Sequence, residues 1–196
     1  MARFSFRPAI TIRGRAFKGA AGFDGLPTHP PLTHFPIAAY VLAAVFDVIA
    51  AVGAGSAWGH DAFVAATWLM TAGLIVSVLT ALTGLVDWLT TEKGTQVRRT
   101  VNAHALVMVI ATVLALVTTV LALTGYGSGG PSPLVVILAI AVALLVAFGA
   151  TIGGALVYDY GFRVMSSTST PEWERSDIDR LPDGSTAGGG DRATAG

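Results

Sequence analysis

Four long apolar runs dominate the chain, at about residues 35–54, 62–88, 104–125 and 134–158. Each is near the ~20 residues a helix needs to cross ~30 Å of hydrocarbon. Asp47 is the only charge in the first run, and the third and fourth carry none before Asp159. Polar and glycine-rich breaks separate them. Gly53, Gly55 and Gly59 open the first loop, and Glu92, Lys93, Gly94, Arg98 and Arg99 make up the second. Gly125-Tyr126-Gly127-Ser128-Gly129-Gly130-Pro131, which can continue no helix, forms the third.

Within three of the runs, small residues recur at helical spacing. Gly73, Ser77, Thr80, Gly84 and Asp87 line one face of the second. Ala111, Ala115, Thr118 and Ala122 line one face of the third, and Ala139, Ala143, Ala147, Ala150 and Gly154 one face of the fourth. In lipid, helices associate through such close-packing seams rather than through hydrophobicity. The pattern predicts an all-α integral membrane protein, a four-helix antiparallel bundle over residues 24–164. A basic arm over residues 1–23 precedes it, and a disordered tail rich in Ser, Thr, Gly and Asp follows over residues 165–196.

Composition supports lipid as the solvent. The 196 residues are 53% hydrophobic and 12% charged, with mean hydropathy +0.67. A soluble domain carries roughly 25% charged residues, so about half the usual surface charge is missing. The absence of cysteine excludes disulfides, thiolate metal sites and protein-held iron–sulfur clusters within the chain.

Net charge is zero, but the placement of the cations is informative. Arg3, Arg7, Arg13, Arg15 and Lys18 precede the first run. Lys93, Arg98 and Arg99 fall in the second loop, and Arg163, Arg175, Arg180 and Arg192 follow the fourth run. With four spans all of them lie on one side, which the positive-inside rule assigns to the cytoplasm. The expected location is the cell membrane, multi-pass, with both termini cytoplasmic. The arm lacks the apolar stretch of a signal peptide, so no cleavage is expected.

Three histidines gather at that same side. His29 and His34 lie in His29-Pro30-Pro31-Leu32-Thr33-His34-Phe35-Pro36, where Thr33 reads as an N-cap and Pro36 as a first-turn residue. His104 reads as opening the third helix, in line with Met108 and Ala111 and so aimed inward. A helix N-terminus disfavours imidazolium, and neutral imidazole is the form that binds metal or haem iron. Asp87 and Asp159, at the ends of the second and fourth helices, are placed to orient these imidazoles as carboxylate partners. The plainer reading is that histidine–carboxylate bonds simply lock helix ends together. His60, beside Asp61 in the first loop, reads as solvated. Asp47 lies inside the first span, where a carboxylate costs about 2.5–3.5 kcal/mol on insertion scales. It reads either as a proton or cation site or as a protonated donor to Thr67, Thr71, Thr118 or Thr119. No phosphate loop, Ser/His/Asp set, HExxH or cationic groove with interleaved aromatics is present.

His29, Pro30, His34, Phe35, Pro36 and Asp47 form the pattern His-Pro-x-x-x-His-Phe-Pro followed by a span carrying an aspartate. With Gly84, Asp87, His104 and the closing Gly153-Gly154-Ala155-Leu156-Val157-Tyr158-x-x-Gly161-x-x-Val164, it resembles the bacterial membrane family catalogued as domain of unknown function 2231, over roughly residues 24–164. The resemblance implies a four-helix membrane domain with no settled function. Some relatives are joined to Rieske-type iron–sulfur domains, which points to electron transfer, and the family histidines look like the haem ligands of helical-bundle cytochromes. Two function classes therefore stand. One is a membrane subunit holding haem b or a metal ion on His34 and His104, with His29 a spare or second ligand. Its partners would be the bilayer and a redox protein or a second copy of the chain, not nucleic acid. The other is a non-redox scaffold for a partner, or a small conductor of protons or solutes through Asp47.

Overall fold

Among the described residues, short glycine-bearing turns separate four long helices, three of them with hydroxyl caps. The structure, a computed structural model, describes residues 22–23 and 26–162, which belong to one unit spanning residues 15–163. The predicted arm, apart from its last two residues, and the predicted tail lie outside the described residues. Gly22–Phe23 (β1) and Leu26–Pro27 (β2) pair antiparallel, Gly22 opposite Pro27 and Phe23 opposite Leu26.

Helix α1 runs His29–Val52, 24 residues, and begins earlier than predicted. Pro30 and Pro31 occupy its first turn, where the absent N–H has no intrahelical acceptor to lose. Thr33 therefore does not cap the helix; its hydroxyl donates to the Pro30 carbonyl at 2.7 Å. Pro36 sits inside the helix, buried, instead of in its first turn.

Helix α2 runs Ala57–Leu89 over 33 residues, about 50 Å at 1.5 Å per residue. That exceeds the hydrocarbon thickness, so it tilts or projects beyond it. Its start moves the predicted boundary: Gly59, His60 and Asp61 are in the first turns of the helix, not in the loop. Ser56 caps it, accepting from the Gly59 N–H at 3.1 Å and donating to the Gly53 carbonyl at 2.7 Å. Gly59 is packed against the Gly53 carbonyl with no room for a Cβ. Close approach, not loop flexibility, requires this glycine.

Helix α3 runs Gln96–Thr124, with Thr95 accepting from the Arg98 N–H at 3.1 Å. It too starts earlier than the apolar run, because Gln96, Arg98, Arg99 and Asn102 form polar turns that hydropathy alone assigns to a loop. His104 consequently lies two turns inside the helix, and the expectation that it opens α3 is corrected. A 3-10 turn at Tyr126–Ser128 and a left-handed Gly129 lead to α4, Pro133–Tyr158, capped by Ser132.

All four helices are long and apolar enough to cross a membrane. Each packs on its two neighbours in a ring, α1 on α2, α2 on α3, α3 on α4 and α4 back on α1. Leucine, isoleucine and valine side chains such as Ile75, Leu82, Ile137 and Leu144 point outward, more than half exposed, as lipid-facing side chains do. The interior is built of small residues. Gly73 receives the Tyr40 ring, and Ala43, Ala111, Ala115 and Ala139 are buried at the centre. The seams predicted on α2 and α3 are largely buried. On α4 the buried face is Val135, Ala139, Val142, Val146, Gly149 and Leu156, whereas Ala147 is exposed.

Two apolar clusters make up the core. The larger joins Tyr40, Ala43, Ala44, Met70, Ala111, Ala115 and the α4 valines Val142 and Val146. The smaller, nearer the end carrying the α1–α2 and α3–α4 connections, joins Ala50, Ala62, Phe63, Ala122 and Val135. That end is called the two-loop end below, and the other the terminal end.

Candidate functional site: a histidine pair at the terminal end

At the terminal end, His29 of α1 and His104 of α3 meet across the bundle, with ring centres 6.4 Å apart and ring planes at 87°. Each ring is seated on the neighbouring helix in the same way. The His29 Nδ1 lies 2.9 Å from the Thr80 carbonyl, and its ring lies against Gly84. The His104 Nδ1 lies 2.9 Å from the Gly149 carbonyl, and its ring lies against Gly153. A Cβ added at Gly84 would stand 2.7 Å from the His29 Cε1, and one at Gly153 would stand 3.2 Å from the His104 Cε1. The glycine opens the space for the ring, and the carbonyl one turn earlier accepts its N–H hydrogen bond.

A carbonyl only accepts, so each Nδ1 carries the hydrogen and donates it. In the neutral ring this leaves the lone pair on Nε2. A backbone carbonyl on Nδ1–H is one of the usual ways a protein selects that tautomer for a ligand histidine. The Thr83 hydroxyl, 2.8 Å from the Thr80 carbonyl and 3.5 Å from the His29 Nδ1, completes the first seat.

The other sequence-derived candidates are placed as follows. His34 is exposed on the first turns of α1, with its Nδ1 3.3 Å from the Pro31 carbonyl. The inward partner of His104 is thus His29. Asp87 is buried at the end of α2, and its own carbonyl accepts from the Thr90 and Thr91 hydroxyls. Asp159 is exposed just past α4. The two Nδ1 atoms donate to backbone carbonyls. His60 lies on the first turn of α2 at the opposite end of the bundle, its Nδ1 buried without a hydrogen-bond partner.

Beside the pair, the α2–α3 turn is tied down by aromatic and cationic groups. Arg98 stacks 3.9 Å above the Trp88 ring and donates to the Trp88 and Thr91 carbonyls. The Trp88 Nε1–H donates to Asn102 at 2.8 Å. Among the described residues, no three or more His, Cys, Asp or Glu side chains are grouped so as to hold a metal ion.

Sequence reasoning passed over two features. The carbonyl seats at Thr80 and Gly149 leave no side-chain signature, although interior helical glycines such as Gly84 and Gly153 were a usable signal. The Tyr40 hydroxyl bonded to Ser77 at 2.8 Å was also missed, because a tyrosine in an apolar run reads as a lipid-facing or interfacial ring.

No curated protein and no solved structure matches the chain. A family model described as a predicted membrane protein matches residues 25–166, a segment that takes in all four helices, the histidine pair and Asp47. The chain belongs to that family of predicted membrane proteins, DUF2231.

Proposed function

We propose that the chain is a haem-binding subunit of a membrane electron-transfer system, in which His29 and His104 would hold the haem. The observation that carries this reading is the seated pair itself: two inward histidines from different helices, each with Nδ1 fixed on a carbonyl. The two ring centres stand 6.4 Å apart, close enough for both rings to serve one group. The donor set favours haem over a bare metal ion. A structural or catalytic zinc takes three or four protein ligands, and the described residues group no such set. Haem needs at most two ligands from the protein and, when bound, supplies one-electron chemistry. The protein's part is to hold both rings in one tautomer and at one spacing, and to surround them with low-dielectric helix faces. His34 is exposed and holds nothing in this reading.

The bundle sits in the cell membrane with its terminal end in the cytoplasm, an orientation supported by the positive-inside distribution of all twelve cations. Its electron-transfer partner is a redox protein reached at that end, or a second copy of the chain. Reporter fusions after Gly55 and Gly129 are expected to report the outer compartment, and fusions at Gly94 and the C-terminus the cytoplasm.

The deciding measurement is a reduced-minus-oxidised absorption spectrum of the detergent-purified chain after haem-supplemented expression. Wild type is expected to show a six-coordinate haem spectrum. His29→Ala and His104→Ala each abolish it, while His34→Ala and His60→Ala retain it. A colourless wild-type protein would remove the redox reading and leave a scaffold.

A further inference from the structure

Away from the histidines, a polar layer interrupts the hydrophobic core. Passing from the larger apolar cluster to the smaller, α1 crosses from Ala44 to Ala50 through Asp47. Helix α2 crosses from Met70 to Phe63 through Thr67, and α3 from Ala115 to Ala122 through Thr118 and Thr119. All four polar side chains are at least 96% buried, with relative exposures of 3%, 1%, 1% and 4% respectively. One carboxyl and three hydroxyls from three helices thus lie at one level, closed off by apolar side chains on both sides.

The hydrogen-bond pattern of this layer is one-sided. Thr67 donates its hydroxyl hydrogen to the Phe63 carbonyl at 2.9 Å. Thr118 donates to Leu114 and Thr119 to Ala115, each at 2.8 Å. Thr71, one turn along α2, likewise donates to the Thr67 carbonyl at 2.7 Å. Every hydroxyl hydrogen is committed to its own helix, so each threonine oxygen faces the interior as an acceptor only. Asp47 Oδ1 is buried with no hydrogen-bond partner. No threonine hydroxyl donates to Asp47, since each spends its hydrogen on its own helix. No lysine or arginine is buried among the described residues, the histidine pair lies beyond the larger cluster at the terminal end, and His60 lies on the first turn of α2, past Phe63 of the smaller cluster.

A layer of acceptors around a buried carboxylate is stable only if something positive sits among them, since an isolated ionised carboxylate is very costly in low dielectric. We propose that Asp47, Thr67, Thr118 and Thr119 form a binding site for one small monovalent cation, a proton or sodium ion. Either ligand satisfies the layer. A proton on Asp47 gives a donor for a threonine oxygen, and sodium takes the carboxylate and hydroxyl oxygens as hard ligands. Divalent ions are disfavoured, because a single carboxylate leaves half their charge uncompensated. This site is independent of the haem reading: it shares no residue with the histidine pair.

The test uses the full chain in detergent. Melting is followed in sodium chloride against choline chloride at equal ionic strength, and the infrared carbonyl stretch of a protonated carboxyl is recorded in parallel. A sodium-specific rise in melting temperature that Asp47→Asn abolishes assigns sodium. No sodium effect, with a protonated-carboxyl band present in wild type and lost in Asp47→Asn, assigns the proton. In the sodium case Thr118→Val weakens the apparent affinity by about fivefold, the loss of one hydrogen-bonding oxygen. In the proton case the same substitution shifts the band to the frequency of a less hydrogen-bonded acid. Both variants keep the shape of the residue they replace, and Thr67→Val repeats the test on a second helix. An ionised Asp47 in a protein indifferent to sodium overturns the proposal.

Discussion

The two helical hairpins, α1–α2 and α3–α4, carry the same device at the terminal end and differ almost everywhere else. Laying His29 on His104 and Gly84 on Gly153 also sets the Thr80 carbonyl on the Gly149 carbonyl. It then sets Tyr40 on Ala115, Asp47 on Ala122, Ser77 on Val146 and Asp87 on Leu156, buried residues in every case. The second hairpin is apolar at each position where the first is polar. The histidine seat is therefore a property of the hairpin architecture, available wherever a helix glycine exposes the carbonyl one turn earlier. The Tyr40–Ser77 bond and the Asp47 carboxyl belong to the first hairpin only. Asymmetric chemistry in this bundle must come from α1 and α2, with α3 contributing threonine oxygens and one ring.

The sharpest way to break this comparison is to close the two glycine seats in turn. Gly84→Ala pushes a Cβ to 2.7 Å from the His29 ring, an overpacking that costs about 1–3 kcal/mol. The gain in helix propensity offsets only about 0.8–1.0 kcal/mol of it. Gly153→Ala meets the His104 ring at 3.2 Å, which a small ring shift relieves, so its net effect is expected near zero. Detergent melting should show a lower midpoint for the first variant and little change for the second. Equal losses would mean that the two seats are equally tight.

The helix starts come next. Thr95 caps α3 through the Arg98 N–H, whereas Thr28 at the start of α1 makes no side-chain cap bond and is followed by two prolines. Thr95→Ala is expected to cost about 1 kcal/mol, as lost N-caps do. Thr28→Ala should leave the midpoint unchanged. The same melting experiment reads both, and a loss at Thr28 as large as that at Thr95 would remove this difference between the hairpins.

The smallest expected effect sharpens the comparison most. Tyr40→Phe removes the hydroxyl bonded to Ser77 and should cost about 0.6 kcal/mol, the average for hydrogen bonds between membrane helices. Ser77→Ala on the Tyr40→Phe background should add little, because the bond is already gone. A double-mutant cycle showing no coupling would make this polar pair incidental packing.

Four spans, their antiparallel order and the seams of α2 and α3 were legible because hydrocarbon thickness, hydropathy and small-residue spacing are local properties of the chain. Helix starts were less legible. The polar first turns of α2 and α3, with His60, Asp61, Gln96, Arg98 and Arg99, carry no apolar signal, although they are as helical as the rest. Cap chemistry at Ser56 and Thr95 decides those boundaries. Of the candidate site, the sequence pointed to the inward direction of His104 and to the isolation of Asp47. It ranked His34 above His29, because two histidines five residues apart at a helix start differ only in rotation about the helix axis.

The sequence by itself determined that this is a membrane protein with four helices long and apolar enough to cross a bilayer among the described residues, and which residues are too polar to be there without a reason. Composition and run length suffice for that, since each apolar residue contributes to membrane partition independently of its neighbours. The tertiary structure alone decided which histidine meets His104, that the Thr80 and Gly149 carbonyls accept from the two Nδ1 atoms, and that the threonines near Asp47 spend their hydrogens on their own helices. Those outcomes depend on the rotation and depth at which one helix seats on another. A backbone carbonyl has the same identity at every position, so no residue pattern can mark which of them a side chain will find.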